Sequence, residues 1–103
     1  MNLSMRLINA TQAAEAIRLG SKDTLQGFGH NRIEIGEQTY TCAMGAMMRG
    51  LKPESNERFL FRFSLTGCPA CDSRESNNFL IIHLNDDHRW AREKIADWIE
   101  QST

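Results

Sequence analysis

The sequence predicts a small α+β domain, about three helices packed with a short antiparallel sheet, with residues 1–103 forming a single unit. Three observations predict it. Apolar residues recur at helical spacing in several stretches, one stretch at Arg58–Thr66 alternates strictly, and glycine- or proline-bearing turns separate them.

The first helix is expected from Asn9 to Leu19. Asn9 offers a capping oxygen, Gln12 stands three residues on as in a capping box, and Gly20 follows as a stop signal. Ala13 or Ala14 with Ile17, behind Leu7 and Ile8, makes its apolar stripe. From Gly20 to Thr41 the chain reads as loop with a little sheet. Gly27 and Gly29 bracket Phe28, and Ile33 and Ile35 alternate with charged neighbours before Gly36-Glu37 turns toward Tyr40, which predicts a short hairpin. A second helix is expected over Cys42–Leu51, where Ala43 meets Met47 and Met44 meets Met48 and Leu51, with Gly50 near its end and Pro53 beyond. Its methionines suit an adaptable core better than a soft binding face. Phe59, Phe61, Phe63 and Leu65 then oppose Leu60, Arg62, Ser64 and Thr66 with strand periodicity. Phe79–Leu84 is apolar and reads equally as strand or short helix. The last helix, Ala91–Gln101, turns Ile95, Trp98 and Ile99 inward, with Trp90 stapled onto Ile95 and with Arg92 and Lys94 expected in solvent.

Bulk composition excludes several classes. With 41% hydrophobic and 24% charged residues the chain is too apolar for a disordered one. A net charge of −1 gives no global field that would draw it to nucleic acid or anionic lipid. The apolar run Phe79–Ile82 is far short of the roughly 20 residues of a membrane helix. Asn2, Ser4 and Arg6 break up the N-terminus, so no signal peptide is expected. Three cysteines fit poorly with a disulfide framework. The expectation is a reducing cytoplasm and no membrane, with thiols free to bind metal.

The strongest chemical signal lies in the second half, about residues 58–103. Two residues separate Cys68 from Cys71, eleven separate Cys71 from His83, and four separate His83 from His88. Two of these intervals match a C2H2 zinc pattern and the middle one is a residue short. A tight turn brings both sulfurs of a C-x2-C to one side, and the histidines supply the other corners of a tetrahedron. Cys68, Cys71, His83 and His88 are therefore the expected ligands of a structural Zn2+, with no position left for a catalytic water.

Rival readings of these residues fail on context. Cys68-Pro69-Ala70-Cys71 resembles the active-site tetrapeptide of thioredoxin-fold oxidoreductases, but that fold wants it near the N-terminus and a cis-proline facing it; here the only other proline, Pro53, precedes the motif. Zinc deaminases need H-x-E, and His30-Asn31-Arg32 and His83-Leu84-Asn85 lack the glutamate. A DNA-reading finger would put Ser76, Phe79 and Ile82 at the base-reading positions, and two of these are apolar. Asp72, Glu75, Asp86 and Asp87 also outweigh Arg74 and Arg89 between Cys68 and Trp90, which repels phosphate. The Asp86-Asp87 pair reads as a metal pair or, in preference, as a polar turn capping the last helix. Cys42, at a helix start, is either a nucleophile with His30 as base or a small buried residue; no catalytic signature supports the first.

Thr41-Cys42-Ala43-Met44-Gly45-Ala46-Met47-Met48, and Cys68–Cys71 followed by the segment His83–Glu100 (HLNDDHRWAREKIADWIE), resemble small uncharacterised proteins of bacteriophages and prophages. In that group a cysteine-initiated helix of small residues precedes a C-terminal HLND…W.RE.IADW segment. The resemblance covers residues 40–49 and 68–100. It implies a phage origin and a bacterial host cytoplasm, and it carries no activity. The expectation is a zinc-stabilised accessory or regulatory protein acting on a protein partner without catalysis. The alternatives are a nucleic-acid module using Arg58, Arg62, Arg89, Arg92 and Lys94, which the charge balance disfavours, and a thiol enzyme using Cys42 or Cys68/Cys71.

Overall fold

Strand β1 (Ser4–Ile8) turns at Asn9 directly into helix α1 (Ala10–Ser21). Asn9 Oδ1 accepts from Gln12 N at 2.8 Å and Gln12 Oε1 from Asn9 N at 2.9 Å, so the expected capping box closes. The computed structural model describes residues 4–53 and 57–102; Asn2, named above in the N-terminal reading, lies outside them.

Strands β2 (Leu25–Gln26), β3 (Arg32–Ile35) and β4 (Gln38–Thr41) form a small sheet in the order β2-β4-β3. The predicted hairpin is β3–β4, antiparallel, with Ile35 opposite Gln38 and Gly36 at φ +62° in the tight turn. Helix α2 (Ala43–Leu51) starts at Cys42 and buries Ala43, Met44, Ala46 and Met47. Met44 and Met47 are core, while Met48 is half-buried outside it.

Helices α1 and α2 cross antiparallel at very short range. A Cβ on Gly20 would stand 1.8 Å from the Ala46 carbonyl oxygen, and one on Gly50 would stand 2.0 Å from that of Ala16. Gly20 is therefore no stop signal, because α1 runs on to Ser21. It is the point where two backbones touch.

The alternating stretch forms strand β5 (Glu57–Phe61), parallel to β1 with Leu7 opposite Leu60. Regular pairing ends where β1 gives way to α1, after a last bond from Arg62 N to the Ile8 carbonyl at 2.7 Å. Inward alternation continues without a partner strand, and Phe63 and Leu65 enter the core. The sheets thus contain parallel pairs as well as the expected antiparallel one.

Phe79–Leu84 resolves as helix, within α3 (Asn77–Asp86). Leu80, Ile81, Leu84 and Asn85 make its buried face, a helical stripe whose fourth member is polar. Helix α4 (Arg92–Gln101) closes the core with Ile95, Ala96 and Ile99, while Trp90 and Trp98 pack on its margin. Arg18 ties α1 to α4 through Glu93, Asp97 and Glu100, and these carboxylates raise its pKa further. The architecture is α+β with four helices among the described residues, one more than the sequence suggested. None of these helices is long and apolar enough to cross a membrane.

Candidate metal centre

The cysteine pair sits in a loop pinched at its base. Thr66 bridges Ser76, and Gly67, at φ +82°, donates its N–H to the Glu75 carbonyl at 3.3 Å. Inside the loop Cys68 N donates to the Ser73 carbonyl at 2.9 Å. Ala70 N donates to Cys68 Sγ and Ser73 N to Cys71 Sγ, each at 3.4 Å.

The histidines arrive from the far end of α3. His83 lies in its last turn, and the chain then tucks back so that His88 N reaches the His83 carbonyl at 3.3 Å. The two rings meet nearly perpendicular, 4.7 Å between centroids. One ligand atom from each of Cys68, Cys71, His83 and His88 lies within 4.8 Å of all the others. Cys71 Sγ and His83 Nε2 are 3.3 Å apart, close to the roughly 3.5 Å sulfur–nitrogen edge of a tetrahedron with 2.3 and 2.0 Å bonds. These four residues can hold a metal ion. The sequence brought the same four together.

Two further features fit that reading. His83 Nδ1 faces Asp87 Oδ2 at 2.6 Å and Glu75 Oε2 at 3.4 Å, so the ring is held with Nε2 toward the sulfurs. The Cys71 thiol and then Asp87 hold the His83 imidazole above its usual pKa. His88 Nε2 is buried and, among the described residues, has no hydrogen-bond partner. A buried nitrogen is seldom left so, and a cation at the common point of the four ligand atoms would satisfy it.

Sequence reasoning missed Asp87 and Glu75 as supports. The four-residue step from His83 to Asp87 on one helix face was the available signal. Contrary to the expected polar-turn cap, neither Asp86 nor Asp87 caps α4: Asp86 accepts from Asn85 Nδ2 at 2.8 Å, Asp87 faces His83, and the N-cap of α4 is Ala91, without a side-chain cap.

Two buried polar residues on the same stretch were also missed. Asn85 is fully buried; its Oδ1 accepts from Ala43 N at 3.0 Å and Gln26 Nε2 at 2.9 Å, and its Nδ2 donates to the Gly27 carbonyl at 2.9 Å. Arg92, expected in solvent, is buried. Its guanidinium donates to the Thr24 and Thr41 hydroxyls at 2.9 and 2.8 Å and to the Thr24 carbonyl at 2.8 Å. Burial lowers its pKa. It leaves the basic patch that the sequence suggested, because the ends of α1 and β4 need its donors.

Cys42 is the N-cap of α2. Its Sγ accepts from Gly45 N and contacts Asn31 Oδ1, both at 3.4 Å, and among the described residues no hydrogen bond joins it to the exposed His30. Burial pushes its thiol pKa up, so desolvation outweighs the helix start.

No protein-family model, no curated protein and no solved structure matches this chain.

Proposed function

We propose that the chain is a zinc-stabilised accessory or regulatory protein that works by contact with a protein partner and not by catalysis. The observation that carries the zinc reading is the orphaned His88 Nε2 beside the convergence of Cys68, Cys71 and His83. Two sulfurs and two imidazole nitrogens in tetrahedral reach suit Zn2+ above the hard cations that prefer oxygen. Four protein ligands fill its shell, so the ion would clamp the loop to α3 and activate nothing.

Support for contact comes from the outer face of the β1–β5 pair. Met5, Leu7 and Leu60 are 59%, 45% and 51% exposed there, and Arg58 and Arg62 stand exposed on the same side of β5. Apolar side chains rimmed by arginines suit an acidic, partly apolar protein surface. The phage setting and the bacterial cytoplasm rest on the sequence resemblance alone.

Elemental analysis of the full chain, purified without added metal, tests the reading. The expected result is about one zinc per chain, lost in Cys68→Ser. Protein free of zinc after such purification, and unable to take it up when zinc is supplied, would overturn it.

A further inference from the structure

Two aromatic rings are each covered by a cation. Arg89 Cζ stands 4.3 Å from the centroid of the exposed Phe28 ring, and Lys94 Nζ stands 4.1 Å from that of the half-buried Trp90. The two loops that carry the rings are fastened to one framework. Gln26 Nε2 donates to the Trp90 carbonyl at 2.7 Å, and Asn85 donates to the Gly27 carbonyl and accepts from the same Gln26 nitrogen. The backbone segments that carry Phe28 and Trp90 are thereby tied to the same Gln26–Asn85 framework.

Arg89 has φ +54°, a left-handed backbone that is unfavourable for a residue with a Cβ and persists only where its surroundings impose it. The carboxylates on adjoining elements are turned elsewhere: Asp86 to Asn85, Asp87 to His83, and Glu93 to Arg18. Among the described residues neither Arg89 nor Lys94 has a carboxylate partner. The negative sum along residues 68–90 is thus not paired against Arg89 and Lys94, which would meet an anion without breaking an ion pair.

We propose that the Phe28–Arg89–Trp90–Lys94 surface binds single-stranded nucleic acid. A base stacks on the outer guanidinium plane of Arg89, extending the stack on Phe28, while Arg89 and Lys94 donate to the flanking phosphates. Single strands fit better than a duplex because stacking on the Arg89 guanidinium needs a free base face, which a duplex hides. They also fit better than an acidic protein, which offers charge but few π faces. The site is separate from the β1–β5 face and goes beyond the zinc reading.

The test titrates the full chain with fluorescein-labelled oligo(dT) and oligo(U) of about 12 nucleotides, read by anisotropy and tryptophan quenching. A duplex of the same length and polyglutamate serve as competitors. Saturable single-strand binding is expected, about tenfold weaker in Phe28→Ala. Arg89→Gly should lose a similar factor while relieving the positive φ, so its melting temperature does not fall and lost contact is separated from lost fold. Lys94→Ala should flatten the log–log salt slope by about 0.7, and Arg58→Ala should leave binding unchanged. Absence of saturable binding to either oligonucleotide overturns the proposal. So does preference for the duplex. Equal competition by polyglutamate, with binding unmoved by Phe28→Ala, overturns it in favour of an acidic protein ligand.

Discussion

The end of α3 faces two interiors that treat buried polar atoms in opposite ways. Toward the helices, Asn85 and Arg92 are enclosed and every donor–acceptor demand described above is met by the chain itself. Toward the cysteine loop, His88 Nε2 is enclosed with nothing to bond among the described residues. The helical region also holds most of the fully buried side chains, among them Ile17, Met47, Leu84, Ile95 and Ile99. The loop region contributes Phe63, Leu65 and Cys68 and almost no regular backbone pairing. One region is complete without a cation; the other is built around the place for one.

Metal removal should separate the two most sharply. With zinc in large excess over its dissociation constant, chelation should lower unfolding stability by about 4 kcal/mol. Hydrogen exchange should accelerate over residues 63–90 and leave α1 and α2 protected. Uniform acceleration along the chain would show that the two regions do not differ as argued. Cys68→Ser should reproduce the chelated pattern.

The next effect strikes the helical region alone. Gly20→Ala forces a Cβ against the Ala46 backbone, which cannot give way as a flexible side chain would. The expected loss is about 3 kcal/mol in urea unfolding, equal with and without chelator. Wild-type stability in that variant would mean that α1 and α2 do not approach so closely.

A smaller effect sharpens the other side. Asp87→Asn weakens the carboxylate–imidazole contact that aims His83 Nε2, and zinc affinity should fall about 10- to 100-fold in competition with a chelating dye. Far-ultraviolet circular dichroism of the zinc-loaded protein should not change. Unaltered affinity would make the 2.6 Å contact an ordinary surface pair.

These two regions were not equally legible in the sequence. The ligand set was readable because its chemistry is local: a two-residue knuckle, a four-residue histidine step, and cysteines with nothing else to do. The capping box at Asn9–Gln12 was readable for the same reason. Pairing of β1 with β5 was not, because a parallel partner lies far along the chain and leaves no local mark. Gly20 looked like a stop because glycine commonly ends helices, yet a close helix crossing demands the same residue. Phe79–Leu84 stayed ambiguous because the helical stripe is completed by Asn85, whose polarity hides it. Arg92 looked solvated because no sequence pattern shows that Thr24 and Thr41 wait for it.

The smallest expected effect carries the most information, because its sign should reverse. His88→Leu removes the orphaned nitrogen and keeps an apolar side chain of useful bulk in the same half-buried place. In the presence of chelator the variant should be more stable than the parent by about 1 kcal/mol, since a buried acceptor without a partner costs about that much. With zinc supplied the order should invert, because the parent gains a fourth ligand and the variant keeps only Cys68, Cys71 and His83. Urea midpoints measured in both conditions read the crossing directly. A histidine held for packing would make the variant weaker in both, and one held at the surface would change neither; a reversal requires that the imidazole be buried for the sake of an ion.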